Sequence, residues 1–121
     1  MDAQVAEALK HNQIIDITTR GRKSGEARRI EIALWALADG YAISGRPGRP
    51  RSWYANLRAN PDFTLHLKQT LTADLPAKAL AVTDPSQRRT IIEEIAKGAG
   101  GGQIDVEAWV ASSPLVLVAF E

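Results

Sequence analysis

The sequence predicts an α+β fold, a mostly antiparallel sheet or small barrel with helices added, and three observations carry that reading. Six short runs have strand character, most of them alternating apolar and polar residues with a period of two. Helix signatures fall between groups of these runs rather than after each one. No strand is followed by a glycine-rich turn and a long helix, which argues against a dinucleotide-binding parallel sheet. The 121 residues fit one domain, 1–121, since single cores form in chains of roughly 50–200 residues.

In chain order, Asp2 to His11 reads as a short helix with Val5, Ala8 and Leu9 as a weak apolar stripe. Gln13 to Thr19 is a strand on its β-branched run of Ile14, Ile15, Ile17 and Thr18. Gly21 to Gly25 is a turn. Arg28 to Leu37 resumes alternation, with Ile30, Ile32, Leu34 and Ala36 on one face and Arg29, Glu31 and Trp35 on the other. Asp39-Gly40 signals a hairpin into Tyr41–Ser44. Gly45 to Arg51 intersperses glycine and proline with arginine, which excludes regular structure. Ser52 is the expected N-cap of a short helix with Trp53, Asn56 and Leu57, stopped by Asn60-Pro61. Phe63, Leu65 and Leu67 alternate with Thr64, His66 and Lys68, and Leu71 to Ala81 repeats the pattern, with Pro76 marking an edge or bulge. Asp84-Pro85-Ser86-Gln87 is a capping box with proline at the first helical position. The helix it opens turns Ile91, Ile92 and Ile95 inward and ends at Gly98, where the run Gly98-Ala99-Gly100-Gly101-Gly102 makes a flexible loop. Pro114 leads into a last strand, Leu115 to Phe120.

Composition narrows the chemistry. The chain has no cysteine, which excludes disulfides, thiolate metal sites and a cysteine nucleophile. Its two histidines, His11 and His66, do not by themselves make a conventional zinc site. Met1 to Lys10 lacks the apolar run of a signal peptide. Leu115 to Phe120 falls far short of the roughly 20 residues that span a bilayer. A cytoplasmic protein without integral membrane contact is therefore expected. The net charge of +1 conceals an imbalance: Arg20 to Arg58 holds nine bases against Glu26, Glu31 and Asp39, a balance of +6, and the remainder is −5. One basic segment in a balanced chain points to a local anion site rather than a polyanion surface.

Two stretches in that segment are candidates. In Thr18-Thr19-Arg20-Gly21-Arg22-Lys23-Ser24-Gly25-Glu26-Ala27-Arg28, two glycines frame a tight connection that lets backbone N–H groups converge on an anion. Lys23 adds a point charge, Ser24 a hydroxyl donor, and Arg28 a planar fork for two phosphate oxygens. A solvated basic turn is the plainer reading of the same residues. A P-loop is excluded because Arg22, not glycine, precedes Lys23.

The second stretch is Ser44-Gly45-Arg46-Pro47-Gly48-Arg49-Pro50-Arg51-Ser52-Trp53-Tyr54. Its helix start offers free N–H groups, and Gly45 and Gly48 allow backbone to approach a flat ligand. The alternative is a proline-stiffened loop with Trp53 and Leu57 packed in the core. The repeated Gly-Arg-Pro also resembles part of a minor-groove AT-hook, but Ser44 and Pro47 stand where that motif has arginine. Nucleic-acid binding is accordingly not expected.

Taken together, Ile17-Thr18-Thr19-Arg20-Gly21-Arg22-Lys23-Ser24-Gly25 and Trp53-Tyr54-Ala55-Asn56-Leu57-Arg58-Ala59-Asn60-Pro61 resemble the signature pair of the deazaflavin-dependent nitroreductase and quinone reductase family. The resemblance runs on to Ser113-Pro114-Leu115-Val116-Leu117-Val118 and so covers nearly the whole chain. It implies a split β-barrel like that of FMN-binding proteins and binding of coenzyme F-420, whose phosphate and oligoglutamate tail are anionic. It further implies that Lys23, Ser24 and Arg28 hold the phosphate, that Ser44, Gly45 and Arg46 line the deazaflavin ring, and that Trp53 and Asn56 brace that wall. Arg51 belongs to the same cofactor-binding set. FMN, which also presents a phosphate, is the alternative cofactor.

The implied activity is hydride transfer from the reduced coenzyme to a small-molecule acceptor such as a quinone or nitro compound. A non-catalytic coenzyme carrier is the rival. No protein nucleophile is expected, and the Ser44 hydroxyl is the candidate catalytic group, polarising the acceptor's oxygen. A homodimer is inferred only from the habit of the fold.

Three departures from the family pattern stand out. Ala27 replaces a common proline, and the arginine-rich loop from Ser44 to Trp53 is short. The segment before Trp109, from Gly98 to Val106, lacks the tyrosines of nitroimidazole-reducing members. Elsewhere, His66 is expected to face solvent or a polar edge, Glu93-Glu94 to be the wet face of a helix, and Trp35 to be a packing residue.

Overall fold

A computed structural model describes residues 1–48, 51–100 and 104–121. Its elements are α1 (Ala3–Ala8), β1 (Gln13–Arg20), β2 (Ala27–Leu37), β3 (Gly40–Ser44), α2 (Ser52–Ala59), β4 (Asp62–Leu67), β5 (Ala73–Ala81), α3 (Pro85–Gly98), α4 (Val106–Ser112) and β6 (Leu115–Phe120). The six strands close into an antiparallel barrel in the order β1-β2-β3-β6-β5-β4. This is the expected α+β split barrel.

Period-two alternation sets which side chains enter the barrel. In β1, Ile15, Ile17 and Thr19 are buried while Asp16 and Thr18 point outward. Leu34, Ile43, Leu65, Leu67, Ala77, Val116 and Val118 complete the interior from the other strands. A second apolar layer lies outside the barrel, where Ala42 and Leu115 meet Ile91, Ile92 and Ile95 of α3, with Trp35, Trp109 and Val110 packed against them. Helices α3 and α4 thus cover the β2-β3-β6 side. No described helix is long and apolar enough to cross a membrane.

The structure refines several expectations. Pro76 pairs with Thr64 of β4, and pairing with β6 begins only at Ala77, so the missing N–H falls where the β6 ladder has ended. The N-cap of α2 is Arg51, which makes no side-chain capping bond, and Ser52 is the first helical residue. Helix α4 was not expected. It is seven residues long and follows the glycine run, so its apolar periodicity is too short to stand out. Its one clear signal is Asp105, whose carboxylate accepts from the Ala108 N–H at 3.2 Å.

Candidate functional site

The β1–β2 connection is held by a few directed bonds. The Gly21 N–H donates to the Glu26 carbonyl and the Gly25 N–H to the Gly21 carbonyl, both at 2.9 Å. Gly25 has φ of +72°, a left-handed conformation that a Cβ would strain. A Cβ on Gly21 would lie 2.6 Å from Ser24 Oγ, so any other residue there would displace the Ser24 hydroxyl from its present position. Ser24 Oγ accepts from the Glu26 N–H at 3.2 Å, which leaves its own proton to donate.

Helix α2 anchors this turn through Asn56, which is 4% exposed. Its Oδ1 accepts from the Arg22 N–H at 3.1 Å, and its Nδ2 donates to Thr19 Oγ1 at 3.3 Å. Without a side-chain cap, the first N–H groups of α2 keep the positive end of the helix open. The result is a cleft of about 580 Å³ lined by Gly21, Arg22, Lys23, Ser24, Arg28, Ile30, Ser52 and Asn56. Ser52 and Asn56 reach it together because they stand four residues apart on one helix face. The lining holds three cations and no carboxylate. Arg28 has one weak partner, Glu26 at 4.0 Å with both side chains mostly exposed, so its charge stays available to an anion.

The remaining expected residues gather elsewhere around the start of α2. Ser44 is 4% exposed, and its hydroxyl donates to the Pro114 carbonyl at 2.7 Å. The Gly45 N–H donates to the same carbonyl at 3.3 Å. A Cβ on Gly45 would come within 3.3 Å of Pro114 Cγ, 3.7 Å of Trp53 Cζ2 and 3.8 Å of Arg51 Nε. Arg51 Nη2 donates to the Arg46 carbonyl at 3.4 Å, while its buried Nε has no partner among the described residues. Trp53 is buried and meets Tyr54 edge-to-face at 5.9 Å. Ser44, Gly45, Arg46, Arg51 and Trp53 are therefore one cluster, and none of them lines the cleft of Lys23, Ser24, Arg28 and Asn56. The Ser44 hydroxyl, the expected donor to an acceptor, here donates to Pro114 and ties the end of β3 to the start of β6. Arg49 lies outside the described residues, as do Gly101 and Gly102.

His66 also departs from expectation. It is 7% exposed, with Nε2 2.7 Å from Thr18 Oγ1 and Nδ1 2.6 Å from Asp74 Oδ1. Its outward position on β4 is covered by these two neighbours, which the alternation alone does not reveal. The hydrogen bond from His66 holds the Asp74 carboxyl below the usual carboxylate range. Beside it, Lys68 and then Arg29 lower the Asp16 carboxyl by hydrogen bonding. Glu94 is half-buried and accepts from the Ala38 N–H at 2.6 Å, so only Glu93 lies on the wet face.

Sequence reasoning missed Arg88. It is 8% exposed, and its guanidinium donates to the carbonyls of Val82, Trp109, Val110 and Ser113 at 2.6–3.0 Å. A signal existed: Arg88 falls on the inward stripe of Ile91, Ile92 and Ile95, at helical spacings of three, four and seven.

Residues 1–100 match the family described as F-420H(2)-dependent quinone reductase. No curated protein matches the chain. Among solved structures, the chain is similar to the haem storage protein HutZ from Vibrio cholerae at a TM-score of 0.74 and 14% identity, over 99% of this chain and 89% of that one. It is similar to a pyridoxamine 5'-phosphate oxidase-like protein from Listeria innocua at a TM-score of 0.67 and 15% identity, covering 98% and 91%. The F-420-H(2) dependent reductase FDR-A is similar at a TM-score of 0.58 and 20% identity, covering 89% and 93%. At such identities these structures bear on the fold alone, whereas the family match spans most of the sequence. The chain belongs to the F-420H(2)-dependent quinone reductase family.

Proposed function

We propose that residues 1–121 form one oxidoreductase domain that binds coenzyme F-420 and reduces a small, flat acceptor, a quinone in preference to a bicyclic nitroimidazole. The observation that carries this reading is the cleft in which Arg22, Lys23 and Arg28 converge with the open start of α2 and no carboxylate intrudes. Its volume of about 580 Å³ lies within the range of roughly 300–1,000 Å³ usual for ligand sites. The residues fit a phosphate: Lys23 and Arg28 supply charge, Ser24 a hydroxyl donor, and Asn56 fixes the turn. Arg51 Nε is buried without a partner among the described residues and stands 3.8 Å from where a Gly45 Cβ would lie, so it belongs to the packing behind the ring-facing wall.

When bound, the coenzyme supplies the hydride. Around it, Lys23, Ser24 and Arg28 clamp the phosphate, and Gly45, having no Cβ, lets Pro114, Trp53 and Arg51 pack closely behind the ring-facing wall. Trp53 backs that surface and excludes water from it. Ser44 holds the wall to Pro114 rather than touching the acceptor.

Titration with F-420, FMN and duplex DNA, each followed by fluorescence, tests the cofactor. F-420 is expected to bind; tighter FMN binding would transfer the reading to a flavin protein, and saturable DNA binding would reject it. Lys23→Ala or Arg28→Ala each removes a charge-assisted contact worth about 1.5–3 kcal/mol, so F-420 affinity falls roughly 10- to 150-fold. Arg89→Ala, on α3 and paired with Glu107, serves as the control and leaves affinity unchanged. Equal losses at all three positions would reduce the effect to general electrostatics.

The acceptor preference follows from the segment before Trp109, which offers no tyrosine hydroxyl to a nitro group. Reduction of a simple quinone should outpace that of a bicyclic nitroimidazole under identical conditions. Faster nitroimidazole turnover rejects the preference, and turnover of neither favours a coenzyme carrier. The barrel leaves Ile14 41% and Leu80 65% exposed, and a homodimer is the proposed assembly. Sedimentation equilibrium giving the mass of a single chain rejects it.

A further inference from the structure

We propose that Arg88, remote from the cleft, is a positioning residue for the ring-facing wall, acting through Ser113 and Pro114 on Ser44 and Gly45. The inference rests on the proposed function for the meaning of that wall, though the linkage itself is a property of the chain. Arg88 is a buried cation with no carboxylate partner among the described residues. Its Nε donates to Val110 O at 2.9 Å and its Nη1 to Val82 O at 2.9 Å. Its Nη2 reaches Trp109 O at 3.0 Å, Ser113 O at 2.6 Å and Ser113 Oγ at 3.3 Å. Three of those carbonyls belong to the last turn and cap of α4, where the helix dipole is negative and a cation is favoured.

A buried charge is a costly way to fill an apolar stripe, and an apolar residue of similar volume often serves stability equally well. What the guanidinium adds is direction. Its rigid fork fixes the residue after β5, the end of α4 and the residue before Pro114 relative to one another. Pro114 then carries the constraint forward, since its single carbonyl accepts from both Ser44 Oγ at 2.7 Å and the Gly45 N–H at 3.3 Å. Ser113 is secured a second time, its Oγ donating to Trp109 O at 2.7 Å. Hydrogen bonds from α3 to Ser113 and from Ser44 and Gly45 to Pro114 are thus joined through the Ser113–Pro114 backbone. Among the described residues no such linkage from α3 reaches the phosphate turn, which is held by Asn56 from α2.

Arg88→Met removes the linkage, Arg88→Lys keeps the charge with a less directed donor set, and Arg89→Met cuts the neighbouring α3–α4 ion pair without touching the carbonyls. The first readout needs no coenzyme: amide hydrogen exchange of Gly45 against Gly25, by NMR of the full chain. Arg88→Met should lower protection at Gly45 about tenfold with Gly25 unchanged, Arg88→Lys should fall between, and Arg89→Met should alter neither. The second readout is kinetic. Arg88→Lys should leave F-420 affinity within about threefold while kcat/KM for the quinone drops about tenfold. Unchanged protection at Gly45, or equal loss at Gly45 and Gly25, overturns the proposal. If Arg88→Met does not fold, Arg88→Lys and Ser113→Ala decide by the same exchange comparison. Failure of the wild type to bind F-420 would reject the proposed function while leaving the exchange result to judge the linkage.

Discussion

Replacing Asn56 with alanine should uncouple the β1–β2 turn, the proposed phosphate site, from the barrel, and the structure sets the scale of the effect. Two hydrogen bonds are lost, one from the Arg22 N–H and one to Thr19 Oγ1. Arg22 is exposed, so water replaces Asn56 at its N–H and the loss there is a net bond of about 1 kcal/mol. Thr19 is 2% exposed, and an orphaned buried hydroxyl costs about 1–3 kcal/mol. The two together give about 2–4 kcal/mol of stability, a large part of the roughly 5–15 kcal/mol available to a small domain. Thr19→Val in the same chain removes the orphaned hydroxyl and should restore part of that loss.

The functional consequence is separable from the structural one. The turn stays mobile in both the single and the double variant, so F-420 affinity should fall about tenfold in each, equivalent to about 1.4 kcal/mol. Urea denaturation reads the first quantity and fluorescence titration the second. Recovered stability with persistent weak binding is the expected pattern. Affinity that returns with stability would refute the reasoning, because the turn would then not depend on the Asn56 to Arg22 bond.

Two further outcomes follow from the geometry. Gly25→Ala meets no atom within 4 Å, so its cost is purely conformational; at φ of +72° it should lose about 1–2 kcal/mol in denaturation, and a neutral result would mean the turn relaxes freely. Asp16, whose carboxyl is lowered by Lys68 and then Arg29, contributes stability that is present above the ordinary carboxylate value of 3.8 and is lost as pH falls through its depressed value. Asp16→Asn should therefore destabilise the protein at pH 7 and converge with the wild type well below pH 3.8, as read by denaturation midpoints; an equal difference at both pH values would contradict the linkage.

What the sequence disclosed and what it hid divide along the reach of the forces involved. The barrel was legible because the β-branched run in Gln13–Thr19 and the alternation in Arg28–Leu37 and Phe63–Lys68 are local signals of strand. The basic cluster of Gly21, Lys23, Ser24, Gly25 and Arg28 was legible because these residues are near neighbours in sequence, whereas Asn56, expected to brace the ring-side wall, is brought to that cluster by α2. The ring-side wall was not legible. Ser44 carries a hydroxyl like any exposed candidate donor, and only the return of the chain 70 residues later gives it Pro114 as acceptor. Arg88 left a trace, a cation on an apolar stripe, yet its acceptors are the backbone carbonyls of Val82, Trp109, Val110 and Ser113, and α4 itself was too short to be read. His66 follows the same rule, since its burial is supplied by Thr18 and Asp74 across two strand pairings. Residues whose role is fixed by neighbours in sequence announce that role. Those oriented by backbone carbonyls far along the chain do not, because a carbonyl has no letter in the sequence. In this chain the proposed anion clamp belongs to the first kind and the proposed ring-facing wall to the second.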